Sequence, residues 1–95
     1  MYSIENTPNT VLLQLASKAR ALRKKQGYSQ QELADRSGVS LGSLKRFEQK
    51  GFISLEALLK LAHVLNRLDD FKPLFAVLDQ TDEIERLFSP KTRRT

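Results

Sequence analysis

Between Ser29 and Gly51 the chain reads SQQELADRSGVSLGSLKRFEQKG: two short helical patterns joined by Ser37-Gly38-Val39-Ser40. Few folds accommodate that join. Ser29 with Glu32 three residues later forms the signature of a reciprocal capping box, so a helix starts there. Leu33 and Ala34 are its buried contacts. Gly38 permits the left-handed backbone that stops it, and Val39 offers an apolar plug under the turn. Ser40 then caps a second helix from Leu41 to about Lys50, stopped by Gly51. Two helices this short cannot bury an apolar face alone, so they must cross steeply and pack on neighbours.

The neighbours have the same period. Residues 1–9 read as an irregular segment closed by Pro8. A preceding helix runs from about Thr10 to Gln26, with Leu12, Leu15, Ala16, Ala19 and Leu22 on one face. Arg20, Arg23, Lys24 and Lys25 fill its last turns, where cations favour the negative end of the helix dipole. Ser54 caps a following helix from Leu55 to about Asn66. Its main stripe is Leu55, Leu58, Leu59, Ala62 and Leu65, and its second is Leu61, Val64 and Leu68, which suits a central core element. A fifth helix is expected from Asp70, with Pro73 in its first turn and Phe71, Leu74, Phe75 and Leu78 on one face. Asp82 and Glu85 suggest a short last helix carrying Ile84, Leu87 and Phe88, before a basic tail at Lys91, Arg93 and Arg94. No segment alternates like a strand, so the fold class is all-α, with five to six helices. The expected organisation is one helical domain over 10–78, with the two joined helices at about 29–50, and a terminal helix and tail over 79–95.

Charge narrows the function. Residues 1–50 hold nine Lys or Arg against four Asp or Glu and so carry the whole net +5, whereas residues 51–95 hold seven of each. One half of the chain therefore attracts polyanions and the other does not. There is no cysteine, His63 is the single histidine, and no glycine-rich phosphate loop occurs, so no enzyme chemistry, metal site or cofactor is expected. The longest apolar run is too short for a membrane span. MYSIENTPNT lacks the regions of a secretory signal, so a soluble, cytoplasmic protein is expected.

At about 100° per residue, Leu44 and Phe47 fall on one side of the second joined helix and Gly42, Lys45 and Arg46 on the other. Leu41, Ser43 and Ser40 edge that outward ridge. Glycine in a helix interior costs about 1 kcal/mol relative to alanine. At position 42 it exposes backbone on the ridge, which would let the helix approach a polyanion such as DNA more closely.

These residues resemble the helix-turn-helix of the XRE/Cro repressor family. Gln30, Leu33-Ala34, Gly38-Val39-Ser40, Leu44 and Glu48 fall at family positions, and the resemblance covers roughly residues 11–78. It implies a lambda-repressor-like domain that binds double-stranded DNA in the nucleoid. Matching positions in the family often carry a long polar residue such as Gln, which Leu41-Gly42 cannot replace. Base reading is therefore expected to fall mainly on Arg46, which can grip guanine O6 and N7. Ser40 and Ser43 add single hydrogen bonds, Leu41 touches a thymine methyl, and Gly42 gives close approach. Ser29, Gln30, Lys45, Lys50 and Ser54 are the expected phosphate contacts. Glu48 is expected to pair with Arg36 or Lys45.

Two functional readings follow. One is a repressor that binds a palindromic operator as a homodimer, because a single module of this size buries too little surface for tight specific binding. The other adds a protein partner. LKRFEQKGFISLEALLKLAHVL followed by LDDFKPLF is similar to HipB-type antitoxins, which repress their own operon and bind HipA-family Ser/Thr kinase toxins. A phage or metabolic repressor of the same fold is the alternative. Phe71, Phe75, Leu78, Ile84, Leu87 and Phe88 are the expected dimer or partner surface.

Overall fold

The computed structural model describes residues 6–77, and every α-helix among them begins where a side chain supplies a cap. α1 spans Pro8–Lys25, α2 Gln30–Ser37, α3 Leu41–Lys50 and α4 Leu55–Val64, and a 3-10 turn follows at Leu68–Phe71. The described residues form four α-helices and no strand.

The local expectations for α2 and α3 hold. The Ser29 hydroxyl accepts from the Glu32 N–H and the Glu32 carboxylate accepts from the Ser29 N–H, closing the capping box. The Ser29 backbone N–H, with smaller contributions from the Ser29 hydroxyl and from Arg36, holds the Glu32 carboxyl below its ordinary range. Gly38 has φ +80 and ends α2, and Val39 is buried beneath the turn. Ser40 accepts from the Ser43 N–H and starts α3.

Three expectations about the flanking helices change. Pro8 does not close an irregular segment; it is the first residue of α1, where its missing N–H is harmless, with Thr7 as the cap. α4 ends at Val64 rather than Asn66, because Asn66 adopts a left-handed φ of +61. The fifth helix is absent over the described residues. The chain runs through tight turns instead: Lys72 N–H donates to the Asp69 carbonyl, Leu74 to Phe71, and Ala76 to Pro73. Each bond spans three residues rather than the four of an α-helix, Pro73 has no N–H to give, and Phe75 takes φ +59, which breaks helical phase. Leu78, the helix expected at 82–88 and the basic tail lie outside the described residues.

The core is centred on the joined helices. Leu33, Leu44, Phe47 and Leu61 are its largest fully buried side chains, with Ala16, Ala34, Val39 and Leu65 around them. α4 is less central than its two apolar stripes suggest, since Leu55 is 64% exposed and Leu58, Leu59 and Val64 are only half-buried.

α1 crosses α3 at very short range. Gly51 is buried, and a Cβ built on it would sit 3.1 Å from the Leu12 carbonyl carbon and 3.1 Å from the Leu12 Cβ. Its φ of +82 also requires the left-handed region, so glycine is needed there on two counts.

Arg23 is the largest departure inside the fold. It does not lie on the cationic surface at the end of α1. It is buried, with its Nε 2.7 Å from Glu48 Oε2 and its Nη2 3.0 Å from Glu48 Oε1. Its Nη1 donates to the Tyr28 carbonyl at 2.7 Å. Glu48 therefore does not pair with Arg36 or Lys45. It lies four residues after Leu44 and next to Phe47, on the inward side of α3, and so faces α1. Arg36 instead stacks over the Tyr28 ring, 5.3 Å from its centroid.

Candidate nucleic-acid interface

The buried ion pair sets the relation between the two joined helices. Gln30, first residue of α2, donates its side-chain N–H to Glu48 Oε1 at 2.9 Å, so the start of α2 is tied to the middle of α3. With Ser29 and Glu32 occupied by each other, the backbone N–H groups of Gln30 and Gln31 remain at the start of α2 to meet an anion. Ser54 likewise caps α4 by accepting from the Ala57 N–H at 3.1 Å, leaving the Leu55 and Glu56 N–H groups without a partner inside the helix.

α3 presents one exposed ridge. Gly42, Lys45, Arg46, Gln49 and Lys50 are all exposed, while Leu44 and Phe47 are buried on the opposite side. A Cβ on Gly42 would meet nothing within 4 Å, so neither packing nor backbone conformation demands glycine at this position. What its absence of a side chain changes is the outer surface of the ridge.

The remaining residues singled out from the sequence divide by their bonds. The Ser40 hydroxyl accepts from the Ser43 N–H and donates to Ser43 Oγ at 2.9 Å, which occupies Ser40 and leaves Ser43 its own hydroxyl proton to offer. Leu41 is half-buried against the core and reaches the ridge only at its edge. Phe71 is half-buried, and Phe75 is fully exposed. Ile84, Leu87 and Phe88 lie outside the described residues.

Two residues of this surface were not singled out from the sequence. Gln49 lies seven residues after Gly42, two turns along the same ridge, so its period was a usable signal. Phe52 follows Gly51 in the loop after α3, outside any periodic pattern. It is 47% exposed, and the Arg46 guanidinium carbon lies 5.5 Å from its ring centroid. Gly42, Lys45, Arg46, Gln49, Lys50 and Phe52 line a shallow concavity of about 470 Å³.

A second hollow, of about 440 Å³, lies between α1 and α4, on different residues. Leu15, Leu22, Leu58, Leu65 and Phe71 supply apolar walls, and Lys18, Lys25 and Arg67 bring charge to it. Among the described residues no group of carboxylates, histidines or cysteines could hold a metal ion, and no helix is long and apolar enough to cross a membrane.

A helix-turn-helix family model matches residues 20–71, more than half of the chain, from the end of α1 to the 3-10 turn. No curated protein and no solved structure matches the chain. The matched span contains the capped α2, the Gly38 turn and the exposed ridge of α3, and the chain belongs to the XRE-type helix-turn-helix family of DNA-binding transcription regulators.

Proposed function

We propose that the protein is a sequence-specific repressor that lays α3 in the major groove of a palindromic operator. The observation that carries this reading is the exposed ridge of Gly42, Lys45 and Arg46 on the second helix of the motif, in the half of the chain that carries the net positive charge. Arg46 reads guanine through its two-pronged donor edge. Ser43 supplies a single hydrogen bond, Leu41 touches a thymine methyl at the edge, and Gly42 admits close approach. Ser40 orients the start of α3. The phosphate contacts are Lys45 and Lys50 with the helix starts at Ser29-Gln30 and Ser54.

Arg46→Ala is expected to lower affinity for the operator by about 1–3 kcal/mol and to relax one base position. Lys50→Ala is expected to weaken binding on every sequence and reduce the salt slope by about one. Selection from a randomised duplex library, followed by titration at several salt concentrations, checks both. Unchanged specificity in Arg46→Ala refutes the base-reading role.

The repressor acts as a homodimer in this proposal, with a HipA-family kinase as its protein partner and its own toxin–antitoxin operon as its target. The support for the dimer is the apolar surface after α4: Leu68, Leu74, Phe75 and Val77 are all exposed, and Phe71 of the same segment lines the apolar hollow between α1 and α4. Leu78, Ile84, Leu87 and Phe88 extend the same composition. The support for the kinase is the resemblance of residues 40–75 to HipB-type antitoxins, together with the surplus of acid over residues 51–90, which leaves that part of the chain to contact protein while α3 holds DNA. Sedimentation equilibrium at micromolar concentration is expected to give a dimer, and co-expression with the neighbouring open reading frame a stable complex. A monomer with independent half-site binding refutes the dimer. A neighbour that is no kinase, or that fails to co-purify, leaves a plain repressor.

A further inference from the structure

The Arg46 side chain is a cation on the exposed ridge, yet it has no hydrogen bond or ion pair among the described residues. Its one contact of this kind is the Phe52 ring, 5.5 Å from the guanidinium carbon. An exposed arginine without a partner samples many rotamers and loses that freedom on binding. An acidic partner would restrain it, but would occupy its donors and neutralise the charge that DNA needs. An aromatic face does neither. It holds the cation through the ring quadrupole, and all five N–H donors stay at the edge of the guanidinium plane.

The backbone that carries the ring is anchored. Phe52 lies between two anchored residues: Gly51 is buried against Leu12, and Ile53 packs on the core. The backbone on either side of Phe52 is therefore held while its ring stays 47% exposed at the rim of the ridge. Gly42 adds no side chain to the concavity that Arg46 and Phe52 share, so nothing from that position obstructs the guanidinium edge.

We propose that Phe52 is a positioning residue that stacks Arg46 in its base-reading rotamer before DNA arrives, a role that rests on the reading of Arg46 as the base reader. Phe52 then governs specificity at one base pair without touching it. Lysine at position 46 cannot substitute, because an ammonium lacks both the flat face and the two-pronged edge.

A double-mutant cycle with Phe52→Leu and Arg46→Ala tests this, using the duplex that the wild-type protein selects from a randomised library. Phe52→Leu is expected to lower operator affinity roughly three- to tenfold and to reduce discrimination at the same base pair that Arg46→Ala relaxes. Its salt slope and melting temperature are expected to match the wild type, because no phosphate contact and no core residue is lost. Phe52→Tyr keeps the ring and is expected to bind like the wild type. In the Arg46→Ala background, Phe52→Leu is expected to have no further effect. An equal loss in both backgrounds overturns the proposal, since Phe52 then contacts DNA itself. Wild-type affinity and discrimination in Phe52→Leu also overturn it, with the Arg46 reading intact. If Arg46→Ala leaves discrimination unchanged at every position, the base-reading assignment falls first and the proposal with it.

Discussion

Glu48→Ala is expected to destabilise the protein by about 3–5 kcal/mol, because it leaves a buried guanidinium without its counter-charge. The Arg23 and Glu48 side chains are 7% and 3% exposed, so water cannot replace the lost carboxylate. Removing it also strands the Gln30 amide, and leaves Arg23 only the Tyr28 carbonyl. Small domains are stable by about 5–15 kcal/mol in total, so the loss is a large share of the whole. For a domain of this size melting is expected to fall by more than about 12 °C, measured by circular dichroism. Arg20 provides the control. It lies 3.9 Å from Glu48 Oε1 with a side chain 55% exposed, so Arg20→Ala is expected to move stability by less than about 1 kcal/mol. Replacing both buried partners with apolar residues of similar volume is expected to recover much of the loss, since no charge is then stranded. A Glu48→Ala protein that melts within a few degrees of the wild type refutes this account of the ion pair.

The second large effect is at Gly51. Alanine there meets a left-handed φ of +82, which costs about 1–2 kcal/mol for an L-residue. Its Cβ also arrives 3.1 Å from Leu12 backbone and side-chain carbons, and a helix backbone cannot yield as a flexible side chain can. Overpacking of this kind costs a further ~1–3 kcal/mol. Gly51→Ala is therefore expected to lose about 2–5 kcal/mol in urea denaturation. Gly42→Ala is its counterpart. Position 42 is helical with nothing within 4 Å of an added Cβ, so this variant is expected to gain up to about 1 kcal/mol. If α3 approaches the bases as proposed, Gly42→Ala gains stability and loses operator affinity together. Similar destabilisation by both substitutions would show that the two glycines serve the same structural purpose, contrary to this reading.

The joined helices were legible in the sequence because their determinants are local. Capping by Ser29, Glu32 and Ser40, the left-handed stop at Gly38 and the inward direction of Leu44 and Phe47 each depend on residues within about one turn of each other. The ridge of Gly42, Lys45 and Arg46 followed from the same period. The fifth helix shows where local pattern misleads: the apolar spacing of residues 71–78 suited a helix, yet Pro73 withholds an N–H and Phe75 takes a left-handed φ.

What the sequence by itself determined was the family, the boundaries of α2 and α3 and the outward face of α3. Tertiary structure decided the rest. Arg23 reads as one more cation at the end of α1, and only the approach of α3, with Glu48 directed inward, makes it a buried partner. Gly51 reads as a helix stop, and only the crossing of α1 shows that its missing Cβ is also a packing requirement. Phe52 reads as a loop aromatic, and only the turn at Gly51 brings it under Arg46. Caps and periodicity act over three or four residues and are written in the order of the chain. Burial of a charge, contact between crossing helices and stacking onto a ridge depend on where distant segments meet, which sequence order alone does not specify.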